Sequence, residues 1–99
     1  MKKTTIELLD HEITVELVPR NKMPEGGMGK CNLGQSYIQL NETMTLDAQQ
    51  STFWHELLHL SADLNSIELS EQDIDGLALA MHSFVKNNPE MIKNLQRMS

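Results

Sequence analysis

Apolar and polar side chains alternate along the first part of the chain. Residues 4–9 and 12–18 each place apolar side chains at every second position, which predicts two β-strands with one face on a core. Asp10 and His11 lie between them and supply a turn, so we expect a β-hairpin.

A loop and two further strands follow the predicted hairpin. Residues 19–29 contain two Pro and three Gly, which predicts an irregular connection. Residues 30–33 and 35–40 have the pattern of two short strands around Gly34. In the second of them Ser36, Ile38 and Leu40 alternate with polar or aromatic side chains, so one face of that strand can pack against a helix.

The periodicity then changes from two to that of a helix. Asp47 with Gln50 three residues later is typical of an N-cap with its capping-box partner, so we expect a helix over residues 48–64. One apolar stripe on this helix consists of Phe53, Leu57, Leu60 and Leu64. Because other faces of the helix are also largely apolar, the pattern predicts a buried central helix.

A second helix is predicted from Ser70 to about residue 86. Ser70 and Asp73 form the S-x-x-D pattern of a capping box. The apolar stripe expected to face the core consists of Ile74, Leu77, Met81 and Val85.

Asn88-Pro89 has the pattern of an N-cap and first helical residue, which predicts a short last helix to about Arg97. The predicted fold is therefore α+β, a small zincin-like arrangement. It has an N-terminal antiparallel sheet of about four short strands, then a buried helix and two further helices. Ninety-nine residues are enough for one domain with a single modest core, so we expect one domain over residues 1–99.

Composition narrows the classes of function. The formal net charge of −6 and a pI near 5.0 argue against a nucleic-acid-binding surface. The single cysteine, Cys31, cannot form an internal disulfide. No apolar run approaches the roughly 20 residues of a membrane span, and the N-terminus lacks the apolar region of a signal peptide. We therefore expect a cytoplasmic protein without nucleic-acid or membrane partners; its oligomeric state is open.

The central helix contains the pattern H-E-x-x-H at His55, Glu56 and His59. Histidines four apart project from one helix face about 6 Å apart, so both imidazoles can reach one Zn²⁺. Glu56 lies beside the metal, where a carboxylate can take a proton from metal-bound water. The alternative is a pair of core histidines satisfied by hydrogen bonds.

Catalytic zinc takes three protein ligands and leaves one position open for water. We predict Glu71 as the third ligand because it opens the second helix twelve residues after His59. Asp75 lies one turn further along the same face and can accept the other ring N–H of a ligand histidine. Alternatively, Glu71 and Asp75 bind no metal and only place negative charge near a helix N-terminus, where the helix dipole favours it.

Three other residues compete for the third position. Asp63 lies on the same helix as the two histidines, but three ligands on one straight helix span too much of its axis. His82 lies about 16 Å along the second helix from Glu71 at a rise of 1.5 Å per residue. Asn65 takes the place of the third histidine in H-E-x-x-H-x-x-G-x-x-H, but Ala62 replaces the glycine and an amide is a poor zinc ligand.

The two motifs together resemble the gluzincin class of zinc peptidases, in which the glutamate is the third ligand and the aspartate a partner of a ligand histidine. Residues 35–88 also resemble small phage and mobile-element proteins related to ImmA/IrrE metallopeptidases. Their E-x-x-A-N-x-F-A pattern aligns with Glu71, Ile74, Asp75, Leu77 and Ala78. Ala, Asn and Phe of the pattern are replaced here, so only the first and last of these positions match it strictly.

The function predicted from these residues is a zinc-dependent peptidase acting on a protein or peptide substrate. Tyr37 and His82 are candidate donors to the oxyanion of the tetrahedral intermediate. If the strand over residues 35–40 lies at a sheet edge, it can hold an extended substrate through main-chain hydrogen bonds. The alternative is a non-catalytic, zinc-stabilised binding or regulatory module of a phage or mobile element.

Overall fold

A computed structural model describes residues 2–24 and 26–99. Four strands are followed by three α-helices, which confirms the predicted α+β class. The strands are β1 (Lys3–Leu8), β2 (His11–Val18), β3 (Gly29–Asn32) and β4 (Tyr37–Asn41), with a 3-10 turn at Arg20–Lys22 after β2. The helices are α1 (Leu46–Leu64), α2 (Glu71–Asn87) and α3 (Met91–Met98).

The sheet is mixed, with strand order β1-β2-β4-β3. The pairs β1/β2 and β3/β4 are antiparallel, whereas β2 and β4 run parallel with Val15 opposite Ile38. The expectation of a wholly antiparallel sheet is therefore wrong for the central pair. Parallel neighbours need a connection of a dozen or more residues, and residues 19–36 supply it while forming β3 on the way.

β3 is the edge strand beside β4, and β4 is internal. The strand predicted over residues 35–40 therefore cannot present a free edge, because it pairs with β2 on one side and β3 on the other. Ile38 and Leu40 do face the core as predicted, at 0% and 4% exposure.

The core lies between the sheet and α1. Its fully buried centre consists of Ile13, Ile38, Leu40 and Leu60. Phe53 and Leu57 of the predicted stripe pack against it but stay partly exposed. Complete burial of one such aliphatic side chain contributes about 1.5–3 kcal/mol, so this cluster fixes how α1 lies on the sheet.

The N-terminus of α1 differs from the prediction by two residues. Thr45 is the N-cap, and its Oγ1 accepts a hydrogen bond from the backbone N–H of Ala48 at 3.2 Å. The prediction of Asp47 as cap is wrong, because Thr45 is already extended and satisfies the first turn. Asp47 instead lies in that first turn, where the helix dipole favours a carboxylate.

α2 begins as predicted, with a reciprocal capping box between Ser70 and Asp73. Its buried face is different, however, and consists of Ile74, Ala78 and His82. The predicted core residues Leu77, Met81 and Val85 are 46%, 40% and 41% exposed. The helix is oriented with Glu71 and Asp75, one turn apart, towards the histidines of α1. Residues Ala78 and His82, further along the same face, are therefore buried as well.

α3 begins at Met91 after Glu90, so the predicted start at Asn88-Pro89 is wrong. Asn88 caps the end of α2 instead, with both its backbone N–H and its side-chain amide donating to Phe84 O. α3 leaves Ile92, Leu95 and Met98 exposed. None of the helices within the described ranges combines the length and the apolar character required to cross a membrane.

Candidate metal centre

Three side chains from two helices converge on one point. His55 Nε2 and His59 Nε2 lie 3.2 Å apart on α1. From α2, Glu71 brings Oε1 to 3.1 Å from His59 Nε2 and Oε2 to 3.4 Å from His55 Nε2. This group can hold a metal ion. The predicted ligand set is therefore brought together, including the residue from the second helix.

The spacing of these atoms fits a tetrahedral metal. At metal–nitrogen distances of about 2.0–2.1 Å, tetrahedral ligands lie about 3.3 Å from one another. The three distances among His55, His59 and Glu71 are 3.1, 3.2 and 3.4 Å. Imidazole nitrogens and a carboxylate are ligands that zinc takes in proteins. The residues present therefore fit such an ion in both geometry and chemistry.

Asp75 contacts one of the candidate ligands, His55, from outside the cluster. Its Oδ1 lies 3.0 Å from His55 Nδ1, so the carboxylate accepts the Nδ1–H and leaves the Nε2 lone pair directed at the centre. Such outer carboxylates set the tautomer of a ligand histidine and raise its basicity. Asp75 therefore has the contact that was predicted for it.

The link between the helices positions Glu71. The chain leaves α1 with Ser66 in the left-handed region at φ 54 and the Ile67 N–H donating to Ala62 O at 2.9 Å. Ser70 then caps α2, and Ile74, only 1% exposed, anchors the first turn. These local contacts turn the chain back, so that Glu71 faces the two histidines.

The competing residues lie elsewhere. Asn65 ends α1 and donates its side-chain amide to Ser61 O at 2.8 Å. Asp63 lines a cavity of about 590 Å³ beside His59 but does not belong to the metal cluster.

The two candidate oxyanion donors are not brought to the cluster. Tyr37 lies on β4 in register with Thr14 and Asn32, and its neighbour Ile38 is the one that faces the core. His82 is 8% exposed near the far end of α2 and bonds Asp47 through Nε2 at 3.0 Å. Neither side chain lines the cavity beside Glu56.

Glu56 follows the first candidate ligand, His55, on α1. It is only 8% exposed, yet it lines a cavity of about 450 Å³ together with His55 and Asp75. The apolar part of the wall is formed by Met28, Ala78 and Leu79. The carboxylate predicted as general base thus faces a space in which a substrate side chain can lie.

Two residues of β3 that the sequence did not single out contact this region. A Cβ on Gly29 would lie 2.6 Å from Thr52 Cγ2, so only glycine allows β3 to approach α1 this closely. Cys31 lies two residues further along. Burial, followed by the nearby Glu56 carboxylate, raises the pKa of the Cys31 thiol from 9.0 to about 12. Gly29 and Cys31 are two residues apart and therefore lie on the same face of a strand. The sequence does not show which residues of α1 that face contacts.

A larger cavity of about 610 Å³ lies at the other end of the helix pair. Trp54, Val85 and His82 are among its lining residues, and none of the three candidate metal ligands is. This cavity is therefore not part of the candidate metal centre.

Comparisons with protein-family models, with curated proteins and with solved structures find no match for this chain. The resemblance to gluzincins and to ImmA/IrrE-related proteins therefore stays a prediction. What can be argued about function depends on the geometry of the residues themselves.

Proposed function

We propose that this chain is a zinc-dependent peptidase in which Glu56 acts as the general base. The observation that carries the proposal is the convergence of His55, His59 and Glu71 at tetrahedral spacing, with a buried carboxylate adjacent to the first ligand. A purely structural site has no need of such a base. Three protein ligands also leave the fourth position for water, as in catalytic zinc sites.

The contacts around the cluster suggest a separate role for the metal, for Glu56 and for Asp75. His55, His59 and Glu71 would hold the zinc, which would supply a Lewis acid for a peptide carbonyl and would lower the pKa of bound water towards about 7. Glu56 takes the proton of the attacking water and delivers it to the leaving amine. Asp75 keeps the proton of His55 on Nδ1, so Nε2 remains a ligand.

The free edge of β3 is the surface we propose for the substrate. Met28 O accepts from Asn41 N at 2.9 Å, so by the alternation of an antiparallel ladder Lys30 bonds towards β4, whereas the N–H and C=O groups of Gly29 and Cys31 point outward. An extended peptide can add to these groups as a further strand. One of its side chains would then enter the cavity beside Glu56.

The experiment has a binding arm and a catalytic arm. Zinc content per chain is measured for wild type, Glu71→Ala and Asp63→Asn, the last of which removes a nearby acid outside the cluster. Zinc-loaded wild type and Glu56→Gln are then incubated with a complex peptide mixture, and new termini are identified by mass spectrometry.

We expect about one zinc per chain in wild type and in Asp63→Asn, and strong depletion in Glu71→Ala. Glu56→Gln should keep its zinc and lose cleavage. Zinc binding without cleavage by wild type would support the non-catalytic module instead. A wild type that binds no zinc would exclude both.

A further inference from the structure

We propose that the cavity of about 610 Å³ at the other end of the helix pair is a binding site for a small neutral molecule. The molecule has a largely apolar body and one hydrogen-bond donor, and His82 Nδ1 accepts from that donor. Because the cavity contains none of the candidate metal ligands, this inference goes beyond the proposed peptidase function and does not depend on it.

The walls of the cavity are mainly apolar and come from separate elements. α1 contributes Leu46, Phe53 and Trp54, whereas Val85 and Pro89 lie at and after the end of α2. The rings of Phe53 and Trp54 meet edge to face, with their centroids 5.5 Å apart. Pockets for small molecules have volumes of about 300–1,000 Å³ and apolar, aromatic walls with a few polar groups. This cavity has the volume and the walls of such a pocket.

A buried polar side chain interrupts the apolar wall. His82 lines the cavity although it is only 8% exposed, and its Nε2 lies 3.0 Å from Asp47 Oδ1. Its Nδ1 has no hydrogen-bond partner among residues 2–24 and 26–99. In the buried and half-buried residues of these ranges, every inaccessible side-chain nitrogen or oxygen has a partner. The His82 Nδ1 atom therefore reaches accessible space, and the cavity is the space that His82 lines.

The contacts of Asp47 decide which ring nitrogen of His82 carries the proton. Asp47 Oδ1 also accepts a hydrogen bond from the Lys86 ammonium at 2.8 Å. Lys86, followed by His82, lowers the pKa of the Asp47 carboxyl. An ionised carboxylate can only accept hydrogen bonds, so the proton of the neutral imidazole is on Nε2. Nδ1 is then an acceptor and requires a donor from the ligand.

The pairing of charges favours a neutral ligand. Lys86 lines the cavity, but its ammonium is paired with Asp47 at 2.8 Å. A charged ligand would therefore enter an apolar space without a free counter-ion, which is costly. A neutral molecule with one donor satisfies His82 and places its apolar body against the aromatic wall.

The first test uses the single tryptophan, Trp54, as a reporter within the cavity. The probes are 4-ethylphenol and its methyl ether, 4-ethylanisole, which share an apolar body but differ in the donor. They are titrated into the ¹⁵N-labelled full chain with zinc present at pH 8. We expect 4-ethylphenol to shift the Trp54 indole N–H peak saturably and to bind about three- to tenfold more tightly than the ether. Equal affinities, or no saturable shift, would overturn the proposal.

The second test observes the acceptor itself. Binding of 4-ethylphenol should move the ¹⁵N resonance of His82 Nδ1 to lower frequency, whereas 4-ethylanisole should leave it unchanged. His82→Phe keeps an aromatic ring but removes the acceptor, so it should bind the two probes equally. If this variant does not fold, the resonance of wild type decides alone. An unchanged Nδ1 resonance at saturating 4-ethylphenol would contradict the proposal.

Two matched substitutions on α2 locate the site. Val85 and Leu77 are 41% and 46% exposed, but of the two only Val85 lines the cavity. Val85→Phe should weaken binding of 4-ethylphenol by about tenfold because the larger ring takes up part of the space, whereas Leu77→Phe should leave it unchanged. Equal effects would place the probe elsewhere and refute the site. A Trp54 peak that moves with protein concentration instead of with the probe would show that a second copy fills the cavity, and would also refute it.

Discussion

The two halves of the molecule are held together in different ways. The sheet and α1 enclose a core of four fully or almost fully buried aliphatic side chains, Ile13, Ile38, Leu40 and Leu60. α2, in contrast, buries only Ile74, Ala78 and His82 over its 17 residues. Apolar side chains such as Leu77, Leu79 and Phe84 remain exposed on it.

Polar contacts compensate at both ends of α2. Its first two turns meet α1 through Glu71 and Asp75, which approach His55 and His59. Its last turns meet α1 through Asp47, whose Oδ1 lies 3.0 Å from His82 Nε2 and 2.8 Å from the Lys86 ammonium. The candidate metal centre therefore lies at the seam between a well-packed half and a half attached mainly by charged groups.

The largest effect on stability is expected from shortening a core side chain between the sheet and α1. Leu60→Ala should lower the free energy of unfolding by about 2–5 kcal/mol, because it leaves a cavity between α1 and the sheet. Leu79→Ala is the matched control: this leucine is 66% exposed on α2 and should change stability by less than about 0.5 kcal/mol. Urea titration of both variants measures the difference, and equal losses would refute the contrast between the halves.

Removal of the metal should act on the weakly packed half. In zinc-loaded protein treated with a chelator, peptides from α2 should lose protection against hydrogen exchange, whereas peptides from β2 and β4 should keep it. Glu71→Ala should resemble the chelated state even with zinc present. A uniform loss of protection across the chain would show that the metal supports the whole fold and not α2 in particular.

The same substitution of glycine by alanine should have opposite signs in the two halves. At Gly29 the new Cβ would meet Thr52 Cγ2 at 2.6 Å, so Gly29→Ala should cost about 1–3 kcal/mol through overpacking. At Gly76, inside α2, a new Cβ would meet no atom within 4 Å beyond the backbone of its own helix, so Gly76→Ala should stabilise by about 0.5–1 kcal/mol.

Thermal unfolding of the two glycine variants gives the comparison. Thr52→Ser removes Cγ2 and should recover part of the stability lost in Gly29→Ala when the two changes are combined. No recovery in the double variant would mean that β3 does not approach α1 at that point.

The smallest effect is expected at the far end of α2. Lys86, followed by His82, lowers the pKa of Asp47 below its ordinary value of 3.8. A carboxyl whose pKa is lowered on folding adds stability above its unfolded pKa, and this is lost as pH falls through the folded pKa. Since Asp47 is well exposed, the gain is small and screened by salt.

Asp47→Asn should therefore lower Tm slightly at pH 7, and the difference from wild type should disappear at low pH or in high salt. Melting curves at pH 7 and below pH 3, with Asp63→Asn as a control, test this. A difference that persists at low pH would assign the effect to packing instead of charge.

The sequence was most informative where a motif and a helix coincide. H-E-x-x-H placed His55 and His59 on one face regardless of tertiary structure, and the capping box at Ser70 located the first turn that carries Glu71. Residues four apart on a helix share a face whatever surrounds them. For this reason the candidate ligand set and the contact of Asp75 could be predicted before the fold was known.

Features that depend on how elements pack could not be read in this way. The parallel pairing of β2 with β4, the edge position of β3 and the rotation of α2 away from its Leu77 stripe are set by contacts between distant segments. The proximity of Cys31 to Glu56 has the same origin, because it requires the register of a strand against a helix. The local pattern of apolar and polar residues does not specify how a strand is aligned against a distant helix.

The exposure of Glu71 also affects how metal occupancy would respond to the concentration of free metal ion. Its side chain is 70% accessible to solvent although it is a proposed ligand, so an ion could enter or leave from the α2 side without opening the core. By mass action, occupancy would then follow the free ion concentration around the protein. During metal binding and release the sheet and α1 would stay folded. Only the fraction of molecules in which α2 is docked on α1 would change with the metal concentration.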